Sequence, residues 1–467
     1  MDMVIINPPL NRLVPPIGPA LIKSFVKSKG FSCKLLDWNF DLWKIMSSES
    51  EEKMDNKYWD SFFVNLYQRE ECYDLWENKV KKISESWMNE IQELDPTWIG
   101  FSVNTIRTMW PFTEKLCQLI RKKFPSIKIV IGGSSTNIFP ECSKMPLEKK
   151  LIDAYISGEG EFAIVELLKG NYSYPGINDL NYIQIDNLNL PFADYSDLDV
   201  SLYPSNYFLV MATRGCVRRC HFCSNFFKKY ICRDSKNIVD EMVEIYNKYD
   251  ITDFLLADAT SNGNPRKFLE FVKVIIQYKK DGLLPYNMTW SAPFNCVSEK
   301  LIGEETYKLV KESNCVRLSP GIESGSEKIR FDMNKKIKDE DIDFFLKQCR
   351  KYKIDTSICF IIGYYTETEE DFTKTLDLLT KYSSFNKDID IAISVVQAFG
   401  LIKGSYDYDN WKELGIKSFK SFNQWTYKDN TLEVRLERLN RFKKHALKMG
   451  YRIRIAKNKM IERDLNV

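Results

Sequence analysis

The stretch Arg214-Gly215-Cys216-Val217-Arg218-Arg219-Cys220-His221-Phe222-Cys223 decides how the rest of the chain is read. Three cysteines at spacings of four and three can converge from one loop on a single metal centre. Soft thiolates select zinc, copper(I) or iron–sulfur clusters. Structural zinc takes four protein ligands, and no second cysteine pair with zinc spacing follows. His221 is a fourth donor in principle, but its neighbours on both sides would already be ligands in a tight loop. Three thiolates suit a [4Fe–4S] cluster whose fourth iron stays open to an outside ligand.

Working outward, the loop follows a strand expected at Tyr207–Thr213, the first of a regular alternation. Further strands are expected at Asp253–Ala257, Asn287–Trp290, Val316–Ile322, Asp355–Ile362 and Ile389–Gln397. Helices fall between them near 235–248, 265–279, 299–313, 339–352 and 368–382. Six βα units predict a partial (β/α)6 barrel, two units short of the closed form.

The first 170 residues alternate as well. Strands are expected at Met3–Asn7, Cys33–Trp38, Trp98–Val103, Lys128–Ile131 and Ile152–Ile156. Helices are expected at Ala20–Lys29 and Pro111–Phe124, with a Trp- and Tyr-rich, largely helical segment from about Phe40 to Glu93 (Trp59, Tyr67, Trp76, Trp87). Glycines recur where strands end: Gly132-Gly133 and Gly158-Glu159-Gly160. That pattern predicts an α/β, doubly wound, Rossmann-like domain with its ligand site at the C-terminal ends of the strands. A nucleotide reading of Gly158-Glu159-Gly160 lacks the full dinucleotide fingerprint.

The cysteine loop resembles the signature of the radical S-adenosylmethionine (SAM) enzymes, C-x3-C-x-aromatic-C after the first barrel strand. The resemblance implies Cys216, Cys220 and Cys223 as ligands of one [4Fe–4S] cluster. It also implies SAM contacts at Phe222, Asp258, Glu323, Ser324, Ser326, Ile361 and Gly363. Of these, Gly321-Ile322-Glu323-Ser324-Gly325-Ser326 is the closest match to a family element. Three stretches depart from the family pattern. Val217 stands where proline is common. Gly363-Tyr364-Tyr365-Thr366-Glu367-Thr368 lacks the usual Pro-Gly. Trp290–Asn295 lacks an arginine.

The N-terminal part resembles the cobalamin-binding subclass of that family, through Asn7-Pro8-Pro9, Pro16-x-Gly18, Asp37, Gly132-Gly133 and Gly158–Glu161. The resemblance implies cobalamin contacts at Pro16, Gly18, Ser102, Thr105, Gly132, Gly133, Ser134, Gly158, Glu159 and Gly160. The implied organisation is a cobalamin domain at 1–170, a linker at 171–206, the barrel at 207–400 and a helical C-terminal domain at 401–467. The implied function is methyl transfer to an unactivated carbon of a small natural product or peptide. A non-methylating rearrangement, cyclisation or oxidation with the same cofactors is the alternative. A zinc- or cluster-bearing binding protein without catalysis is a further alternative. An electron donor such as a flavodoxin or ferredoxin is the implied partner.

The composition is compatible with this. The 467 residues hold 44% hydrophobic and 28% charged side chains, and Lys+Arg 67 against Asp+Glu 64 leaves +3. Such a balance gives no reason to expect a nucleic-acid partner. Twelve cysteines in so long a chain are too sparse for a disulfide scaffold. No run approaches the length of a membrane span, and the N-terminus has no signal-peptide pattern, so a cytoplasmic monomer is expected. The only histidines are His221 and His445. An imidazole from the first domain therefore cannot ligate cobalt, and base-off cobalamin is expected. The tail from Leu414, rich in Lys and Arg, is expected to be helical, with either a solvated face or a docking face for an acidic substrate.

Overall fold

The computed structural model describes residues 1–9, 11–49, 77, 80–104, 109–205, 207–225 and 228–453. The chain forms two compact units, one from Met1 to Phe208 and one beginning at Leu209.

The first unit is built on β1 (Met3–Asn7), α1 (Ile17–Ser28), β2 (Cys33–Asp37), α2 (Trp38–Glu49), α3 (Lys81–Leu94), β3 (Trp98–Ser102), α4 (Met109–Lys123), β4 (Lys128–Gly132), β5 (Ala154–Tyr155) and α5 (Gly160–Leu168). Its sheet has the order β2-β1-β3-β4-β5, with every pair parallel. All five β1 side chains are buried, as a strand covered by helices on both faces must be. The order reverses between β1 and β3, which opens a crevice at their C-terminal ends. One face of the sheet packs under Trp38 and Trp87, stacked with centroids 4.7 Å apart.

Residues 171–205 belong to this unit and form no hairpin among the described residues. Ile177 and Ile183 make single bridges to Ile156 and Gly158. Lys23, buried in α1, pairs with Asp194 and Asp197 at 3.2 and 2.6 Å and ties the segment down.

The second unit runs β6 (Phe208–Val210), α6 (Ser235–Tyr249), β7 (Asp253–Leu256), α7 (Pro265–Lys280), β8 (Thr289–Phe294), α8 (Glu304–Glu312), β9 (Cys315–Glu323), α9 (Glu327–Asp332), α10 (Asp339–Tyr352), β10 (Asp355–Ile362), α11 (Glu369–Tyr382) and β11 (Ile391–Ala398). Local chemistry sets these boundaries. Asn264 caps α7 ahead of Pro265, and Thr368 with Asp371 forms a capping box on α11. Six strands follow one another in chain order across the sheet, which is the expected partial barrel.

The tail is not wholly helical. It forms an antiparallel hairpin, β12 (Lys417–Ser421) with β13 (Gln424–Thr426), then α12 (Leu432–Lys448) and β14 (Arg452–Ile453). β14 adds a seventh, parallel strand beside β11. The basic residues of α12 are not all solvated: Arg435 and Arg438 are buried. No helix among the described residues is long and apolar enough to cross a membrane.

Candidate metal and cofactor site

The cysteine loop leaves the sheet where Thr213–Arg214 pairs antiparallel with Ile231–Cys232, so both ends of the loop are held together. Gly215 makes this closure possible. Its φ is +70°, and a Cβ there would lie 2.1 Å from Lys229 O, a position only glycine occupies without strain. Arg219 Nη1 donates to Cys216 O at 2.8 Å and Lys228 O at 3.0 Å. Arg218 reaches Lys336 O and Cys296 O, both at 3.2 Å. The turn after α9 closes the other side. Met333 O accepts from His221 N at 2.9 Å, and Asn334 Nδ2 donates to Arg219 O at 2.7 Å.

Cys220 is buried, and Cys216 and Cys223 are half-buried. Backbone N–H groups of Arg218 and Asn225 point at the sulfurs of Cys216 and Cys223, each at 3.4 Å. Such bonds stabilise thiolates and tune clusters. Burial pushes the Cys220 thiol up to about 12, against the pull of Lys335, which lowers it. Metal ligation offsets that cost, because a coordinating thiol is deprotonated outright. Among the described residues no three His, Cys, Asp or Glu side chains converge as a single metal ion requires. Cys216 and Cys223 both lie close enough to Cys220 to act on its charge, so three thiols share one locus, a donor set of the kind that holds an iron–sulfur cluster.

Neither histidine is spare. His221 stacks on Tyr406 with centroids 4.3 Å apart. His445 Nε2 lies 2.9 Å from Thr380 Oγ1.

Glu323 ends β9 with φ +69°, and its Oε1 accepts from Lys335 Nζ at 2.8 Å in a buried pair. A non-glycine residue in the left-handed region costs about 1–3 kcal/mol and marks functional sites. Lys335 also lies 6.0 Å from the centre of the Phe222 ring. Phe222 packs on an apolar cluster containing Ile361, Met333 and Tyr364. The loop aromatic and the β10 end therefore share one apolar surface.

Other expected SAM positions are engaged by the protein itself. Asp258 Oδ1 accepts from Ala212 N and Thr213 N at 2.9 and 2.8 Å, and Oδ2 accepts from Ser261 Oγ at 2.8 Å. Burial raises its carboxyl to about 6. Ser326 Oγ donates to Asp371 at 2.7 Å, and Ser324 Oγ lies 3.4 Å from Thr375 Oγ1. Gly325 presses on α11, where a Cβ would lie 2.3 Å from Lys374 O. Gly363, φ +77°, lies against Arg435, and its carbonyl accepts from Asn430 Nδ2 at 3.3 Å.

In the first unit, Pro16 is the N-cap residue of α1. Gly18 and Gly132 have nothing within 4 Å of a virtual Cβ, so backbone there is open to close approach. Ser102 ends β3. Ser134 bonds Asn104 across the crevice, N to Oδ1 at 3.3 Å and Oγ to O at 3.2 Å. Gly133, φ +106°, packs on the Val103 backbone. Thr105 lies outside the described residues, as do Trp59, Tyr67 and Trp76. Gly158, φ +93°, is used by the protein, since a Cβ would lie 2.2 Å from Ile183 O. Glu159 accepts from Ile185 N at 2.8 Å, and Gly160 starts α5.

Sequence reasoning missed Lys335, Asp407 and Arg435. Asp407 is fully buried, accepts from Tyr364 OH at 3.2 Å and donates its N–H to His221 O at 3.0 Å. Arg435 lies over the Trp425 ring at 3.5 Å and bonds Asn430 O and Asn423 O. None sits in a motif; each is found only by what folds against it.

Residues 210–379 match the radical SAM superfamily, and this part of the chain is a radical SAM domain. Among curated proteins, an uncharacterised methyltransferase of Pyrococcus horikoshii is 25% identical over 65% of this chain and 67% of its own. The anaerobic magnesium-protoporphyrin IX monomethyl ester cyclase of Rubrivivax gelatinosus is 26% identical over 68% of this chain and 58% of its own. The chain thus spans little more than half of that cyclase. Among solved structures, the radical SAM methyltransferase TsrM from Kitasatospora setae, with cobalamin and a [4Fe–4S] cluster bound, matches with a TM-score of 0.63. It has 15% identity and covers 89% of this chain and 75% of its own. The cobalamin-dependent SAM radical enzyme OxsB matches at 0.62, with 15% identity, 95% coverage of this chain and 61% of its own. At these identities the likeness is one of fold.

Proposed function

We propose that the protein is a cobalamin-dependent radical SAM methyltransferase acting on an unactivated carbon of a small natural product or peptide. The observation that carries the reading is the loop 215–225. It places three thiols, two of them with N–H···S donors, at the C-terminal mouth of a parallel partial barrel. The bound cofactors would supply a carbon-centred radical from SAM at the cluster and a methyl carrier from cobalamin.

The chain's own residues position and exclude. Cys216, Cys220 and Cys223 hold the cluster, with Arg218 and Arg219 fixing their spacing through backbone carbonyls. Phe222 and Ile361 offer an apolar surface for adenine. Glu323, held by Lys335, offers carboxylate oxygens to SAM hydroxyl or amino groups. The open backbone at Gly18 and Gly132, with Pro16, Ser102 and Ser134, lines the corrin site at the switch point of the first sheet. Asp258, Ser324, Ser326 and Gly363 act by fixing the barrel mouth.

The cyclase relatives support a second reading, a non-methylating radical ring closure or oxidation with the same cofactors. The test is anaerobic incubation of the reconstituted protein with methyl-labelled SAM and an extract of its native host. Label transferred to a product supports methyl transfer. Deoxyadenosine without labelled product supports the second reading. No deoxyadenosine and no label transfer overturns both.

A further inference from the structure

The turn after β10, from Gly363 to Thr368, is held by the tail rather than by its own sequence. It has neither a proline nor a second glycine to preset its backbone. The buried Asn430 supplies that order: its Nδ2 donates to Gly363 O, Tyr364 O and Tyr365 O at 3.3, 2.9 and 3.4 Å. The amide has one orientation there, because Arg435 Nη1 donates to its Oδ1 at 3.2 Å. Arg438 reaches the same turn at Glu367 O, 3.0 Å away.

The tail also holds the cysteine loop. In the single helical turn Tyr406–Asp409, the Asp407 N–H donates to His221 O at 3.0 Å, and the Tyr406 ring stacks on His221. The buried Asp407 carboxyl accepts from Tyr364 OH at 3.2 Å through Oδ1. Asp407 therefore bonds two segments at once: the residue after the second cysteine, and the first tyrosine of the turn after β10.

We propose that Asp407 and Asn430 are positioning residues for SAM, fixing the cysteine loop and the turn after β10 at one spacing. The inference rests on the reading that Cys216, Cys220 and Cys223 hold a [4Fe–4S] cluster and that Phe222 and Ile361 flank SAM. Phe222 directly follows His221, and Ile361 lies two residues before Gly363. A shift at either anchor therefore moves a surface that SAM would touch. Buried hydrogen bonds suit this role, because no water is at hand to replace a lost partner and the bonded arrangement is the single favourable one.

The test uses the full chain, first free of cluster and then reconstituted. In the cluster-free chain, Tyr364→Phe should speed amide hydrogen exchange across 216–223, although the change lies in the other segment. After reconstitution, Tyr364→Phe, Asp407→Val and Asn430→Asp should keep the iron content of wild type. Each should bind SAM about tenfold more weakly, the worth of one buried hydrogen bond, in titrations read by the reduced cluster's electron paramagnetic resonance. Tyr364→Phe and Asp407→Val break the same bond, so their effects should not add. Asp407→Asn keeps an acceptor oxygen and should bind SAM within about twofold of wild type. Arg441→Ala, at an exposed position of α12, should change none of these readings.

A purely structural role would lower the melting temperature and leave SAM affinity unchanged where the variants are folded. That result for Tyr364→Phe and Asn430→Asp would overturn the proposal. So would unaltered exchange at 216–223, full additivity of Tyr364→Phe with Asp407→Val, or an equal loss in Arg441→Ala. Failure of the functional reading is distinguishable, because it appears in the wild-type chain as no cluster or no SAM binding.

Discussion

Lys335 and Glu323 form a buried ion pair over Gly321. Their Nζ and Oε1 atoms are 2.8 Å apart, and a Cβ on Gly321 would lie 2.7 and 2.2 Å from them. The glycine of the Gly-Ile-Glu-Ser-Gly-Ser element thus vacates the volume in which its own glutamate meets a lysine twelve residues later. Removing one partner leaves an unpaired buried charge, which costs about 3–5 kcal/mol. Lys335→Met should lose about that much stability in denaturant unfolding of the second unit. Adding Glu323→Gln should recover much of the loss. A double variant no better than Lys335→Met would show that the pair does not set stability.

Two glycines should respond in opposite senses. Gly325→Ala drives a Cβ into rigid backbone of α11, 2.3 Å from Lys374 O, and should cost about 1–3 kcal/mol or more. Gly18→Ala meets nothing within 4 Å in α1 and should gain up to about 1 kcal/mol. If Gly18 backbone faces cobalamin, the same variant should bind the cofactor more weakly despite its higher melting temperature. Unchanged cobalamin affinity would remove Gly18 from that site.

Asp407 gives the second unit a pH dependence. Burial raises its carboxyl to about 7, with Tyr364 partly opposing. The folded chain then holds a proton that the unfolded chain releases near pH 4, so this group's contribution to stability falls as pH rises from about 4 to about 7. Asp407→Asn should gain on wild type by a few kcal/mol across that window. Melting temperatures at the two ends of the window measure it, and parallel pH profiles would refute it.

Cys220→Ala should abolish cluster assembly while leaving far-ultraviolet circular dichroism unchanged, because only a small buried thiol is lost. Wild type should carry about four irons per chain, the content of one [4Fe–4S] cluster. A reproducible value near twice that, or cluster absorption surviving in the variant, would overturn the assignment.

The cob(II)alamin form should lack nitrogen superhyperfine splitting from an axial ligand in electron paramagnetic resonance. No histidine precedes His221 in the sequence, so the first unit has no imidazole to offer cobalt. Ser102 and Ser134 are the kind of weak oxygen donors left at the crevice. Observed splitting with cobalamin bound would refute the base-off state.

Much was legible in one dimension because its physics is local. The spacing of Cys216, Cys220 and Cys223 marks the proposed donor set, and the alternation of apolar strands with amphipathic helices defines both parallel sheets. The histidine count excludes an imidazole ligand whatever the fold. The hairpin β12–β13 was hidden among the lysines of the tail, because each strand carries a single aromatic, Phe419 in one and Trp425 in the other, too few to show an alternation. What the sequence could not decide is which polar groups remain for ligands, because that depends on contacts between residues far apart in the chain. Asp258, Ser326 and Gly158 look like ligand contacts by motif, yet Thr213, Asp371 and Ile183 occupy their bonds or their space. Lys335, Asp407 and Arg435 carry no motif and become important only when burial removes water from around their charges. Desolvation and long-range packing are properties of the tertiary structure alone, and they separate the groups that hold the fold from those left facing the site.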